Sequence, residues 1–171
     1  MKKIKLVLLA ISMLTMMTLS AQNKKMLDEK NGFREFKFGM NADSIPNLKL
    51  VESDGFCNYY EKTDEKLKIG DYDVKSITYG FYRGKLDFIF IEIKGYNNSR
   101  GILNIFESQY GKGYQSNPYI EKYYWFAKTV TLSYDENSIN NNANIIIHSK
   151  MFDDIKKTDK KTAEEKAKSD L

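Results

Sequence analysis

Few side chains here are suited to bond-making chemistry. The 171 residues include one histidine, His148, and one cysteine, Cys57. A thiolate nucleophile needs a neighbouring base, and most proton-transfer schemes need an imidazole. The two residues lie far apart in sequence, so nothing local pairs them, and Cys57 reads as a small packed hydrophobe. There is no histidine pair at metal spacing, no G-x-S-x-G, no glycine-rich phosphate loop and no H-E-x-x-H. Glu61, Asp64, Glu65, Asp71 and Asp73 could supply the paired carboxylates of a glycoside hydrolase, but acids near hairpin ends are ordinarily solvated surface. The oxygen-rich stretches "GDYD" and "DENSINNN" lack the spacing of an EF-hand loop and suit turn-making instead. The sequence therefore predicts no catalytic residue, no cofactor and no metal site.

Aromatic residues are the other resource. Tyr119, Tyr123, Tyr124 and Trp125 cluster in "YIEKYYW", and the stretch Ser76 to Ile93, "SITYGFYRGKLDFIFIEI", adds more. A strand sends Tyr123 and Trp125 to one side and Tyr124 to the other. A hairpin turning at Arg83-Gly84 pairs Tyr82 with Lys85. Continuing that register sets Ile77, Tyr79 and Phe81 opposite Phe90, Phe88 and Leu86 on one apolar face. It also sets Lys75 against Glu92, Asp73 against Lys94 and Gly80 against Asp87. On this register Ile89, Ile91 and Ile93 fall on the second face. The expected partner surface is therefore Tyr119, Tyr123, Trp125, Ile89, Ile91 and Ile93.

The elements that would hold these residues follow from periodicity and punctuation. "FREFKFGM" alternates as a first strand, and "NADSIPNL" reads as a short helix with Asn41 as its cap. "LKLVES" and "FCNYYEK" are strands around an Asp54-Gly55 turn. "NNSRGILNIFESQYGKG" is a helix starting near Asn98 or Ser99 and stopping at Gly111. "IEKYYWFAKTVTLSY" is a hairpin turning near Ala127-Lys128, and "IIIHS" is a last strand. Hairpins stand where a parallel sheet would need crossover helices. The prediction is an α+β fold, with a mostly antiparallel sheet of about six to seven strands and two helices packed on one face.

The chain ends read differently. Residues 1–21 run from Lys2, Lys3 and Lys5 through an apolar stretch to Ser20-Ala21, the order of a signal peptide cleaved after Ala21. The apolar run is too short to span a bilayer, and no lipid-accepting cysteine follows it. The predicted location is the periplasm or the exterior. Three of the 27 basic residues lie in this segment and none of the 23 acidic ones does, so the formal charge falls from +4 to +1 without it. That balance excludes a nucleic-acid footprint. Residues 22–32 are expected to be a flexible segment, 33–152 a single domain with apolar content enough for a core, and 153–171 a charged tail, helical or disordered, outside it.

The motifs "FREFKFGM", "YGFYRGKLDFIFIEI" and "YIEKYYW", with a helix ending at Tyr110-Gly111, resemble an uncharacterised family of small exported proteins of Gram-negative bacteria. That family carries an F-R-x-x-K-F-G-M opening and an I-x-Y-x-F-Y-x-G-K-L hairpin. The resemblance implies an envelope location and transfers no catalytic or binding residue. A glycine followed by a short helix before strands is similar, as a fold-level analogy only, to outer-membrane assembly lipoproteins and β-lactamase inhibitor proteins, although the order of elements differs and the lipid-anchoring cysteine is lacking. Taken together, these features predict an exported, non-enzymatic binding protein whose partner is an envelope protein or a glycan. The alternatives are a carboxylate-dependent envelope hydrolase and a structural domain with an assembly tail.

Overall fold

A computed structural model describes residues 24–169. The predicted signal segment, 1–21, lies outside the described residues. A first helix, α1, covers 24–30, where the sequence predicts a flexible segment. It is held because Leu27 is buried in the core and Asp28 binds the distant 128–130 turn. "FREFKFGM" is not one strand. It folds into a miniature hairpin of β1 (Gly32–Phe33) and β2 (Phe36–Lys37), with Arg34 turning at φ 54°. Phe36 and Phe38 both reach the core this way. The predicted short helix is a single 3₁₀ turn, Ala42–Ser44, and the side chain of Asn41 makes no capping bond.

Seven strands form one antiparallel sheet in two meanders. The first comprises β3 (Leu48–Ser53), β4 (Cys57–Lys62), β7 (Ser76–Tyr82) and β8 (Lys85–Ile93). A small hairpin, β5 (Lys68–Ile69) with β6 (Tyr72–Asp73), interrupts it. The second comprises β9 (Lys122–Phe126), β10 (Val130–Glu136) and β11 (Ala143–Ser149). Helix α2 (Tyr96–Tyr110) links the two. β11 pairs with β8, which gives the order β3-β4-β7-β8-β11-β10-β9. This is the α+β, antiparallel architecture that the hairpin pattern implies.

The β7–β8 hairpin departs from the predicted register by one residue. Tyr82 pairs with Lys85 and Phe81 with Leu86 as expected, but Gly80 then pairs with Phe88 and Ile77 with Ile91. Asp87 is the extra residue, a bulge that turns the rest of β8 over. Ile89, Ile91 and Ile93, expected on the open face, are buried in the core at 0%, 0% and 1% exposure. Phe88 and Phe90, expected in the core, lie half-buried on the other face. Of the two predicted charge pairs, Lys75 does bind Glu92, at 2.7 Å, whereas Asp73 binds Lys68 at 2.6 Å instead of Lys94.

One face of the sheet therefore carries Ile77, Tyr79, Phe81, Ile89, Ile91, Ile145, Ile147, Leu132, Tyr134 and Trp125, and α1 and α2 cover it. The β5–β6 hairpin packs closely on α2 because Gly101 offers no side chain. A Cβ there would meet the Tyr72 ring at 2.1 Å. Helix α3 (Asp153–Ser169) follows β11. It touches the opposite face at one end, through Tyr82, Asp87 and His148. Among the described residues no helix is long and apolar enough to cross a membrane.

Candidate functional site

The uncovered face is built by alternation on six strands. The registers place Tyr59 beside Gly80, Phe88 and His148, and place Glu61 beside Thr78, Phe90, Ile146, Ser133 and Tyr124. Apolar side chains thus stay open on a face whose neighbour rows are polar, with Ile146 41% and Phe126 49% exposed. Small residues on β7 leave a depression between the aromatic groups. Phe88 leans into it over Gly80, where a Cβ would lie 2.2 Å from its ring, and Tyr59 meets Phe88 edge-on at 5.7 Å. The resulting cleft, about 360 Å³, is lined by Val51, Glu52, Tyr59, Glu61, Thr78, Phe88, Phe90 and Glu92. At the far side of the sheet Tyr124 and Phe126 stack with centroids 5.5 Å apart and planes within 7°.

Electrostatics set the borders of this face. Glu92 accepts hydrogen bonds from Lys75 and Ser76, which hold its carboxyl below the usual range. Asp54 accepts the Tyr59 hydroxyl at 2.7 Å, and this bond, aided by burial, pushes the phenol well above its ordinary value. At the other border α3 is clamped down. Asp159 takes hydrogen bonds from Tyr82 and Arg83, Lys156 binds Asp87, and Phe152 packs on the Tyr82 ring. Asp87 is fully buried and its Oδ1 has no partner, so burial raises its pKa despite Lys156. Cys57 sits at the same border, with its thiol pushed up by burial.

The predicted partner residues separate. Tyr123 and Trp125 are buried with the Ile89 group under α2, and Trp125 Nε1 donates to the Gly111 carbonyl at 2.7 Å. Only Tyr119 is open, at 92%, and it lies in the loop before β9, not on the sheet. The aromatic groups that do face outward are Tyr59, Phe88, Phe90, Tyr124 and Phe126, which sequence reasoning assigned to the core or passed over. One signal for them was available. The predicted register opposed Gly80 to Asp87, two residues ill-suited to a strand interior, and a strand glycine often marks a bulge.

The acids considered for hydrolysis are mostly committed. Glu65 binds Arg34 and accepts the Tyr79 hydroxyl at 2.6 Å. Asp64 binds Lys62 and Asn47, and Asp73 binds Lys68. Two other carboxylates do converge, on Arg100. Glu121 Oε2 accepts from its guanidinium at 2.8 Å, and Glu136 Oε2 lies 3.2 Å from its Nε and accepts the Tyr134 hydroxyl at 2.5 Å. This group ties α2 to the sheet on the covered face. The asparagine-rich loop makes turns, with Asn137 Oδ1 accepting the Ile139 and Asn140 amides. Among the described residues no three His, Cys, Asp or Glu side chains are grouped to hold a metal ion.

A recess of about 390 Å³ on the helical side, floored by Leu27, Phe106 and Leu132, has Lys30, Arg34 and Lys68 at its mouth. Those cations are engaged by internal carbonyls and by Glu65 and Asp73. The three cations of the recess are thus turned to internal partners. Comparison with protein-family models, curated proteins and solved structures finds no match to this chain.

Proposed function

We propose that this is an exported, non-enzymatic binding protein of the bacterial envelope that engages its partner through the uncovered face of the seven-stranded sheet. The observation that carries the reading is the row of outward aromatic and aliphatic groups, Tyr59, Phe88, Phe90, Ile146, Tyr124 and Phe126, on a face that, among the described residues, helices touch only at the α3 end. A contiguous apolar stripe with a charged rim is the usual anatomy of a protein-binding surface. The leader-like residues 1–21 support export. The commitment of Asp64, Glu65 and Asp73 to internal partners supports binding over hydrolysis.

The test is photo-crosslinking in cells expressing the full chain, with a photoreactive residue at position 90, 146 or 124 and, as control, at exposed Asn104 on α2. The expected result is a discrete adduct from the three sheet positions and none from position 104. Equal labelling from position 104, or no adduct from any sheet position together with no retention on a glycan array, overturns the reading.

A further inference from the structure

The two edges of the sheet are finished differently. At β9 the chain returns and seals the edge, because Tyr114 exchanges both backbone hydrogen bonds with Tyr124, at 2.8 and 2.9 Å. At β3 nothing does so. Among the described residues its six residues pair only with β4, and no backbone bond from another segment reaches their outer side. Unpaired strand edges are templates for another strand. This one is also apolar, with Leu50 51% and Val51 48% exposed.

The bulge in β3 aims the edge. The register runs Leu50 to Tyr60 and then Glu52 to Tyr59, so Val51 is the extra residue. Val51 and Glu52 both turn onto the open face and form one wall of the cleft that holds Tyr59, Phe88 and Phe90. Leu50 points to the opposite side with Tyr60. On the open-face side a strand laid against β3 would meet Glu52 and Lys49, with Glu61 one strand further in, two carboxylates to one cation, and on the other side the apolar Leu50. Neither carboxylate makes a hydrogen bond or ion pair among the described residues, and Lys49, cross-strand from Glu61, forms no ion pair with it.

We infer that β3 accepts an extended segment of a partner protein as an eighth strand, and that the segment alternates basic with apolar residues. This rests on the reading of the open face as the binding surface. Backbone bonds would supply the docking, and alternate side chains the selectivity. Basic groups would reach Glu52 and Glu61 beside the Phe88 and Phe90 rings, whose faces attract cations, while the apolar residues cover Leu50.

A fluorescein-labelled six-residue peptide of alternating lysine and valine is the probe, with a glutamate–valine peptide and a lysine–valine peptide N-methylated at alternate amides as controls. Anisotropy should show the basic peptide binding about tenfold more tightly than the acidic one, the worth of two exposed charge pairs. The preference should vanish in Glu52→Gln/Glu61→Gln, whose melting should be unchanged because both side chains are exposed. N-methylation should abolish binding. Equal affinity for the two charge types, undiminished binding after N-methylation, or no binding at all overturns the inference. If crosslinks from position 90 then persist, strand addition fails while the sheet-face reading stands. If they too are lacking, both fail.

Discussion

The two faces of β8 are made of nearly the same material and do opposite work. On one side Leu86, Ile89, Ile91 and Ile93 are sealed beneath helices, and on the other Phe88 and Phe90 stay half-open. Neither hydrophobicity nor size separates the two sets. What separates them is Asp87, a single residue outside the ladder that decides which set faces the helices. Burial here is assigned by register, and register by a local irregularity.

The sharpest way to break the contrast is to truncate one aromatic residue on each face. Phe81→Ala, in the core, should cost about 3–5 kcal/mol in chemical denaturation, the usual cost of emptying a buried phenylalanine site. Phe90→Ala should cost under about 1 kcal/mol, yet weaken partner capture. Comparable losses at the two positions would mean that the second face is a core as well.

Next in size is the clamp that separates the open face from α3. Lys156→Met leaves buried Asp87 without its counter-charge, and should cost about 2–3 kcal/mol. That is below the ~3–5 kcal/mol of a fully buried pair, because the Lys156 side chain is 29% exposed. Asp87→Asn combined with Lys156→Met should recover part of the loss. A single variant as stable as the parent would show that the pair does not hold α3 down.

The smallest effect tests how the helical cover is pinned on the other side. Asp28 accepts hydrogen bonds from the backbone of Lys128, Thr129 and Val130 and from the Thr129 hydroxyl. Burial alone would raise its pKa, but these bonds prevail and hold it below the usual 3.8. A lowered folded-state pKa means the contribution is complete above that value and is lost as pH falls through the folded one. Asp28→Ala should therefore cost about 1 kcal/mol at pH 6, with the gap to the parent narrowing as pH falls below the ordinary aspartate value of 3.8. A gap that does not change with pH would place the effect in packing instead.

These contrasts bear on what could be read in advance. The strands from Leu48 to Lys62, the helix stop at Gly111 and the turn near Ala127 were legible, because each rests on local chemistry: alternation, a glycine at φ 75°, a turn-forming break. The open face was not. "LDFIFIEI" is apolar on both phases, so periodicity cannot choose between Phe88 and Ile89, and the choice falls to the bulge at Asp87. α1 itself was missed because one buried leucine and one carboxylate bound a hundred residues away leave no local pattern. Likewise α3 looked wholly solvated, since what holds it is a few long-range polar bonds to Tyr82, Arg83 and Asp87 rather than an apolar stripe.

The seal at Tyr114 has a further consequence, for valency. A sheet with two bare edges can be extended from both ends, and copies of it can stack into an endless ribbon. Here the bonds between Tyr114 and Tyr124 close one end, which leaves room for a single added strand. If β3 takes a guest strand as inferred, edge pairing through the described sheet would stop at a complex of fixed size, one guest per host or two hosts edge to edge, with no foothold for a growing filament.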